Sequence, residues 1–412
     1  MSMDLKNIFL NKISLYLFMI ILGVVAGLDY IPHLKGVGLF VGEVFVSCFK
    51  FISVPIIFLS LIVTFVNYRA NGMMSLLWKN TLKYTMSTTY GAALLSCFLY
   101  LLIRPRNMVL EKNPLTFTME AMPTGYLDYL KHLIPTNFLQ PFLENQVLTI
   151  LLLAVLVGLA LRQIPDQGVR QTLSEVFKGF HGILMVLTRW LLRFIPLGLF
   201  GFITTSIESM HTKHSFLGLG EYLLVIVLAN IIQGFVVLPI WLKLKGLAPW
   251  QMMQALAKPL SVAFFSKSSV GTLPLTMDTV EEKLNISPEV SRFVLPLCTS
   301  VNMNGCAAFI FTTVIYMMQN AHMVITPGTF LIWTVIATVA AIGNAGVPMG
   351  CFFLSVSLLV SMNVPMTLLG VILPFYSLID MLETALNVWS DCCVVTVVHQ
   401  QLDEEHTELA TS

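Results

Sequence analysis

YSLIDMLETALNVWSD, residues 376–391, decides how the chain is read. It lies in the last long apolar segment, yet it carries Asp380, Glu383, Thr384, Asn387 and Asp391. On an α-helix turning about 100° per residue, these five fall within roughly 60° either side of one line. Tyr376 joins the same stripe, and the other face is apolar: Leu378, Met381, Leu382, Ala385, Leu386 and Val388. Each ionisable group at membrane depth costs roughly 2.5–3.5 kcal/mol on insertion scales, so it must face protein, ions or water. A single Ser, Thr or Asn on such a stripe would serve as helix glue. Three acids on one face point instead to an ion or substrate path.

The rest of the composition supports a membrane setting. The 412 residues are 56% hydrophobic and only 11% charged, with mean hydropathy +0.82. Soluble domains carry about 25% charged residues, so the chain reads as a polytopic membrane protein. The net charge of +1 gives no basic field for nucleic acid. Ile13–Leu28 is apolar without a small-residue cleavage site and is expected to be a first span. The seven cysteines (48, 97, 298, 306, 351, 392 and 393) sit in apolar segments, where cysteines pack as small hydrophobes. Neither they nor the histidines show metal-ligand spacing, and no nucleophile–base pair is recognisable, so an enzyme is not expected.

Further apolar stretches cover residues 37–66 (with Pro55 inside, suggesting a kink), 76–103, 146–161, 177–205 and 217–242, near or above the roughly 20 residues a bilayer requires. Arg104–Pro141 reads as a polar loop with short interfacial helices. Lys6, Lys12, Arg69, Lys79, Arg162, Arg170, Lys243 and Lys245 outnumber Lys35, Arg104, Arg106, Lys112 and Lys213 across alternating loops, which predicts a cytoplasmic N-terminus. Beyond Lys245 the apolar segments are broken: by SKSSVGTLP at 266–274, NMNG at 302–305 and GNAGVP at 343–348. Apolar segments interrupted at corresponding points by Gly, Ser and Pro mark a transporter site. Non-helical backbone at membrane depth must be buried in protein or line a cavity. There the freed N–H groups of Ser268, Ser269, Val270, Gly271, Ala345 and Gly346 can bind an anion, and freed carbonyls a cation.

These motifs, in this order, resemble the glutamate transporter family, the dicarboxylate/amino acid:cation symporters: SKSSVGTLP, NMNG, AIGNAGVP (341–348) and DMLETALNVWSD (380–391). PTNFLQPFLENQVL (135–148) and FIPLGLF (194–200) add weaker support. The resemblance implies an all-α polytopic fold of eight transmembrane helices and two re-entrant hairpins, built as inverted repeats and assembled as a homotrimer. It also implies an elevator mechanism, with scaffold helices in residues 1–75 and 111–210. The transport domain would take 76–110 and 211–412 and end in a short soluble tail. By the same resemblance Ser268 and Ser269 meet the substrate α-carboxylate, and Gly346, Val347 and Pro348 form the gate. Asp380 would hold the α-ammonium, with Thr384 and Asn387 completing the cradle. One sodium ion would lie among Asn302, Asn387 and Asp391. A second would lie near Thr299, Ala341, Ile342 and Asn344, and a third near Tyr84, Ser87 and Thr88.

Two departures bear on substrate and coupling. Glu383 stands where acidic-substrate members carry Arg, and a buried carboxylate repels a second one by several kcal/mol. A cationic amino acid (arginine, lysine or ornithine) is the simplest complementary ligand. A neutral polar one is expected instead if Lys267 neutralises Glu383, or if Glu383 is protonated and couples to H⁺. Asn304 replaces an Asp of sodium-coupled relatives, so fewer sodium ions, or protons in part, are expected to be coupled. Cys306, Trp389 and Ser390 replace residues more often seen as Thr or Gly. A channel or non-transporting sensor with the same fold is the rival function. Short loops and compact length suggest the inner membrane of a bacterium, with both termini cytoplasmic.

Overall fold

The computed structural model describes residues 15, 17–31, 33–66, 72–108, 137–143, 147–209, 216–344, 349–362, 364 and 367–411. Every regular element among them is a helix. The first half comprises α1 (Leu17–Gly27), α2 (Leu34–Val66), α3 (Gly72–Ile103), α4 (Val147–Gln163), α5 (Gln167–Arg193) and α6 (Ile195–Ser209). Then α7 (Phe216–Ile232) passes through a π-helical turn, Gln233–Val237, and resumes as α8 (Leu238–Leu244). After α9 (Pro249–Ala255) come α10 (Ala257–Ser266), α11 (Ser269–Lys283), α12 (Pro288–Val301), α13 (Asn304–Asn320), α14 (Pro327–Ile342), α15 (Gly350–Ser361) and α16 (Thr367–Thr411).

Each break has a local cause. Lys267 adopts the left-handed conformation (φ 55°, ψ 35°), and Ser268 caps α11 by accepting a hydrogen bond from Gly271 N at 2.9 Å. Asn302 and Met303 interrupt the α12–α13 path, after Pro296 has already removed one helical donor. Thr326 and Thr329 form a reciprocal capping box at the start of α14, with Pro327 as its first residue. The α14–α15 link ends at Met349, again left-handed (φ 57°). Residues 345–348 lie outside the described residues.

Two expected boundaries shift. The stretch 177–205 is two helices that part at Phe194, with Pro196 in the first turn of α6, and α5 begins ten residues before the apolar run. The acidic tail continues α16 as helix to Thr411, because Glu, Gln and Leu are good helix formers regardless of solvent. Pro55 is accommodated within a continuous α2. Of the 104–141 interval, 104–108 and 137–143 are described, and Phe138 and Phe142 place their rings edge-on to Phe58.

The distribution of side chains is that of a membrane protein. Large apolar groups such as Phe98, Leu102 (67% exposed), Phe235 and Ile240 point outward, while Asn302, Asn304, Glu383 and Asp391 are buried. Exposed rows of this kind are costly in water and cost nothing in hydrocarbon. Among the described residues, Leu76–Ile103, Gly218–Leu244, Pro288–Asn320 and Phe375–Leu402 are long and apolar enough to cross a bilayer. One group of helices forms around α2, which packs on α4, α5 and α6. A second forms around α13, which packs on α3, α7, α14, α15 and α16. The two meet where α6 touches α16 and α15 touches α2.

Small residues let the first group close. A Cβ on Gly201 would come within 2.4 Å of the Gly42 backbone, and one on Gly38 within 2.4 Å of the Thr204 hydroxyl. Without a hydrophobic drive between helices in lipid, such close approach supplies the attraction. Gly201→Val is therefore expected to force α2 and α6 apart and destabilise the fold by about 1–3 kcal/mol. The check is a lowered unfolding midpoint of detergent-solubilised protein relative to a Gly179→Val control, where no atom lies within 4 Å.

Candidate functional site

The polar face of α16 meets α13, the α10–α11 turn and the α14–α15 link in one cavity. It is lined by Lys267 and Ser269 from the turn, and by Met303 and Cys306 from the α12–α13 break. Asn344 and Cys351 come from the α14–α15 region, and Asp380, Glu383, Thr384 and Asn387 from α16. Helix α13 approaches α16 closely because Gly305 has no side chain: a Cβ there would sit 2.7 Å from Glu383 Cα. Gly305 N donates to Asn387 Oδ1 at 2.9 Å, so the end of the NMNG break is bonded to the stripe.

Within the cavity, Ser269 faces the space while the Ser268 hydroxyl is engaged in capping α11. The Thr384 hydroxyl donates one turn back to Asp380 O at 2.7 Å. Lys267 Nζ donates to Ser377 Oγ and lies within electrostatic reach of Asp380. Glu383 is 1% exposed; its Oε2 accepts from the Tyr376 hydroxyl at 3.4 Å, and its Oε1 has no hydrogen-bond partner. Of the residues expected around the α14–α15 link, Asn344 lines the cavity, while Gly346, Val347 and Pro348 lie outside the described residues.

One turn further along α16 lies a second, fully buried polar network. Asn302 Nδ2 donates to Asp391 Oδ1 and to Ser390 Oγ, both at 2.9 Å. Asn304 Nδ2 donates to Ser390 Oγ at 2.7 Å and Asn302 Oδ1 at 2.9 Å. The Thr88 hydroxyl reaches Asn302 Oδ1 at 3.0 Å, tying α3 to the break. Tyr84 instead packs its ring on Trp241 (centroids 5.6 Å apart), and Ser87 is exposed and donates to Lys83 O. The structure therefore brings Thr88 of that trio to Asn302 and Asn304. Thr299 is buried on α12, its hydroxyl bonded back to Leu295 O; Ala341 and Ile342 end α14, and Ala341 O accepts from Asn344 N at 3.1 Å. Helices α12 and α14 touch.

The Asp391 neighbourhood fits a hard cation. Among the described residues no Lys, Arg or His is bonded to this buried carboxylate, and its neighbours are amides and hydroxyls. Oxygen ligands of this kind suit Na⁺-like ions, and a bound cation would supply the missing positive charge.

A helical interior of acids and amides, reached through broken helices and wrapped in an apolar exterior, is the build of a membrane transporter for a small polar solute. The chain belongs to the sodium:dicarboxylate symporter family, whose description it matches over residues 13–401. It is similar to neutral amino acid transporter B(0) of Rattus norvegicus, at 31% identity over 268 residues, 64% of this chain and 48% of that protein. It is also similar to neutral amino acid transporter A of Bos taurus, at 25% identity over 428 residues, 92% of this chain and 80% of that protein. The chain spans about half the length of the B(0) relatives it matches.

Two features escaped the sequence reading. Cys306 and Cys351 are joined as a disulfide between the starts of α13 and α15, a correction to cysteines read as small packed hydrophobes. Their 45-residue separation gives no local signal; the fold alone makes them neighbours. Gln233, the first residue of the π turn, donates through Nε2 to Asn304 Oδ1 at 3.0 Å and Thr88 O at 3.2 Å. The same turn leaves Gly234 O to accept from Trp389 Nε1 at 3.0 Å. Asn230 and Gln233, three apart inside an otherwise apolar run, were the available signal. Gln233→Ala leaves the buried Asn304 oxygen without this donor, and a loss of about 1–3 kcal/mol is expected. Gln233→Glu puts an acceptor against an acceptor and should cost more. Thermal unfolding of both variants beside Gln400→Ala provides the comparison.

Proposed function

We propose that the chain is a secondary active amino acid symporter, driven by sodium, whose substrate lies in the cavity on the polar face of α16. The single observation that carries the substrate class is the buried Glu383 Oε1, which has no hydrogen-bond partner on a cavity wall that also holds Asp380. Lys267 donates to Ser377 and lies within electrostatic reach of Asp380, and the open oxygen of Glu383 would be met by a group the substrate brings. An amino acid with a cationic side chain meets that need. Its α-ammonium would pair with Asp380, and its α-carboxylate would meet Ser269 and the N-terminal peptide groups of α11. Its guanidinium or ammonium head would pair with Glu383.

Sodium would be held by Asp391 with oxygens of Asn302, Asn387 and neighbouring carbonyls. There it offsets the charge of Asp391 and makes the broken helices close around substrate and ion together. The α10–α11 pair and the α14–α15 pair would be the two re-entrant hairpins, with Gly346–Pro348 in the gate. The division into a scaffold (1–75, 111–210) and a moving transport domain (76–110, 211–412), trimeric assembly and cytoplasmic termini are part of the same proposal.

One observation favours a second reading. The relatives are named neutral amino acid transporters, and the Tyr376 hydroxyl touches Glu383; a protonated Glu383 would admit a neutral polar substrate and add H⁺ to the coupling.

Uptake of radiolabelled arginine, serine and aspartate into proteoliposomes separates these readings. Arginine should accumulate against its gradient, only while a sodium gradient is imposed, and aspartate should neither accumulate nor compete. Glu383→Gln should weaken arginine at least about thirtyfold, the loss expected when one member of a buried charge pair is removed. Accumulation of serine that depends on a proton gradient would favour the neutral reading. Equilibration without concentration would mean a channel.

A further inference from the structure

Three sulfurs surround one amide in the cavity. Asn344 Nδ2 lies 3.0 Å from Cys306 Sγ, 3.6 Å from Cys351 Sγ and 3.8 Å from Met303 Sδ. Glu383 closes the group: one ligand atom each from Cys306, Cys351 and Glu383 lie within 4.8 Å of one another. All three residues are buried, at 2%, 2% and 1% exposure. Independently of that spacing, two oxygens are buried with no hydrogen-bond partner, Glu383 Oε1 and Asn344 Oδ1.

We propose that, with its two cysteines reduced, this cluster is a binding site for a thiophilic divalent cation of the Zn²⁺ or Cd²⁺ type, and that joining Cys306 to Cys351 closes it. Thiolate and thioether sulfur select such soft ions, whereas hard sodium prefers the all-oxygen surroundings of Asp391. Two thiolates at about 2.3 Å and one carboxylate oxygen at about 2.0–2.2 Å make three of four tetrahedral ligands. The carbonyl oxygen of Asn344, brought round by an amide flip, or a water completes the fourth. A small dithiol opens the site. The S–S bond breaks, two electrons and two protons pass to the cysteine sulfurs, and the reagent closes into its own disulfide. Metal entry then releases the two thiol protons to water. The metal would occupy Glu383. Loss of uptake on metal binding therefore rests on the substrate reading given above, whereas metal binding itself does not.

The test uses the purified full chain, one portion reduced with dithiothreitol and desalted, the other oxidised with diamide. Each is titrated with CdCl₂ while the thiolate-to-cadmium charge-transfer absorption is followed. The reduced protein should take up one ion per chain with a thiolate band, and the oxidised protein should show none. Cys306→Ser/Cys351→Ser should abolish the band, Cys97→Ser should keep it, and Glu383→Gln should weaken cadmium by at least about 10–100-fold. Equal bands in the oxidised and reduced wild-type protein, or a band that survives in the double variant, would overturn the proposal. The first comparison needs no variant to fold. Reduced proteoliposomes should also lose uptake with cadmium and regain it with a chelator. A band without that loss would uphold the metal site and count against the cavity as the substrate pocket.

Discussion

Three carboxylates on one helix, Asp380, Glu383 and Asp391, are held away from lipid, and the rest of the architecture answers to that requirement. A carboxylate cannot face hydrocarbon, and it cannot be buried without partners except at several kcal/mol. The partners come from outside the stripe and from within it: amides at the α12–α13 break, a lysine at the α10–α11 turn, and Tyr376 one step earlier on the stripe itself. The α12–α13 break places polar backbone where the stripe needs it, with Gly305 N donating to Asn387. The missing side chain of Gly305 allows the approach that makes the arrangement dense. What remains unsatisfied, chiefly one oxygen of Glu383, is where a ligand has something to offer.

Much of this was legible in the residues because the signals were local. The stripe shows in helical spacing from Asp380 to Asp391, and the structure buries all five of its polar members. The breaks show as Ser, Gly, Asn and Pro within apolar runs, and they fall at Lys267–Ser268, Asn302–Met303 and the link after Gly343. The division of 177–205 at Phe194 was missed because apolar periodicity carries across it, although Pro196 was the punctuation that announces a new helix.

What the residues could not announce depends on distant contacts. The separation of Cys306 and Cys351 along the chain carries no periodicity, and their pairing exists only once α13 and α15 are packed. Tyr84, Ser87 and Thr88 share one helical face by count, but the structure divides them. Tyr84 packs at a tilt against Trp241 beneath the Lys245 ammonium, while Thr88 bonds to Asn302. Gln233 is a single amide in an apolar run, and its role depends on a change of helical pitch that spacing does not predict.

That change of pitch sets the rotational phase of α8. A π turn takes up one residue more than the α-helix around it, so every side chain downstream is rotated by about 100° relative to an uninterrupted helix. In this rotated frame Trp241 meets Tyr84, and Leu238 and Leu242 are buried. Deleting one residue from Gln233–Val237 would restore a regular helix and leave the far end of the span in its present phase, whereas straightening the turn with all its residues kept would misalign that end; the extra residue acts as a phase offset between the two halves.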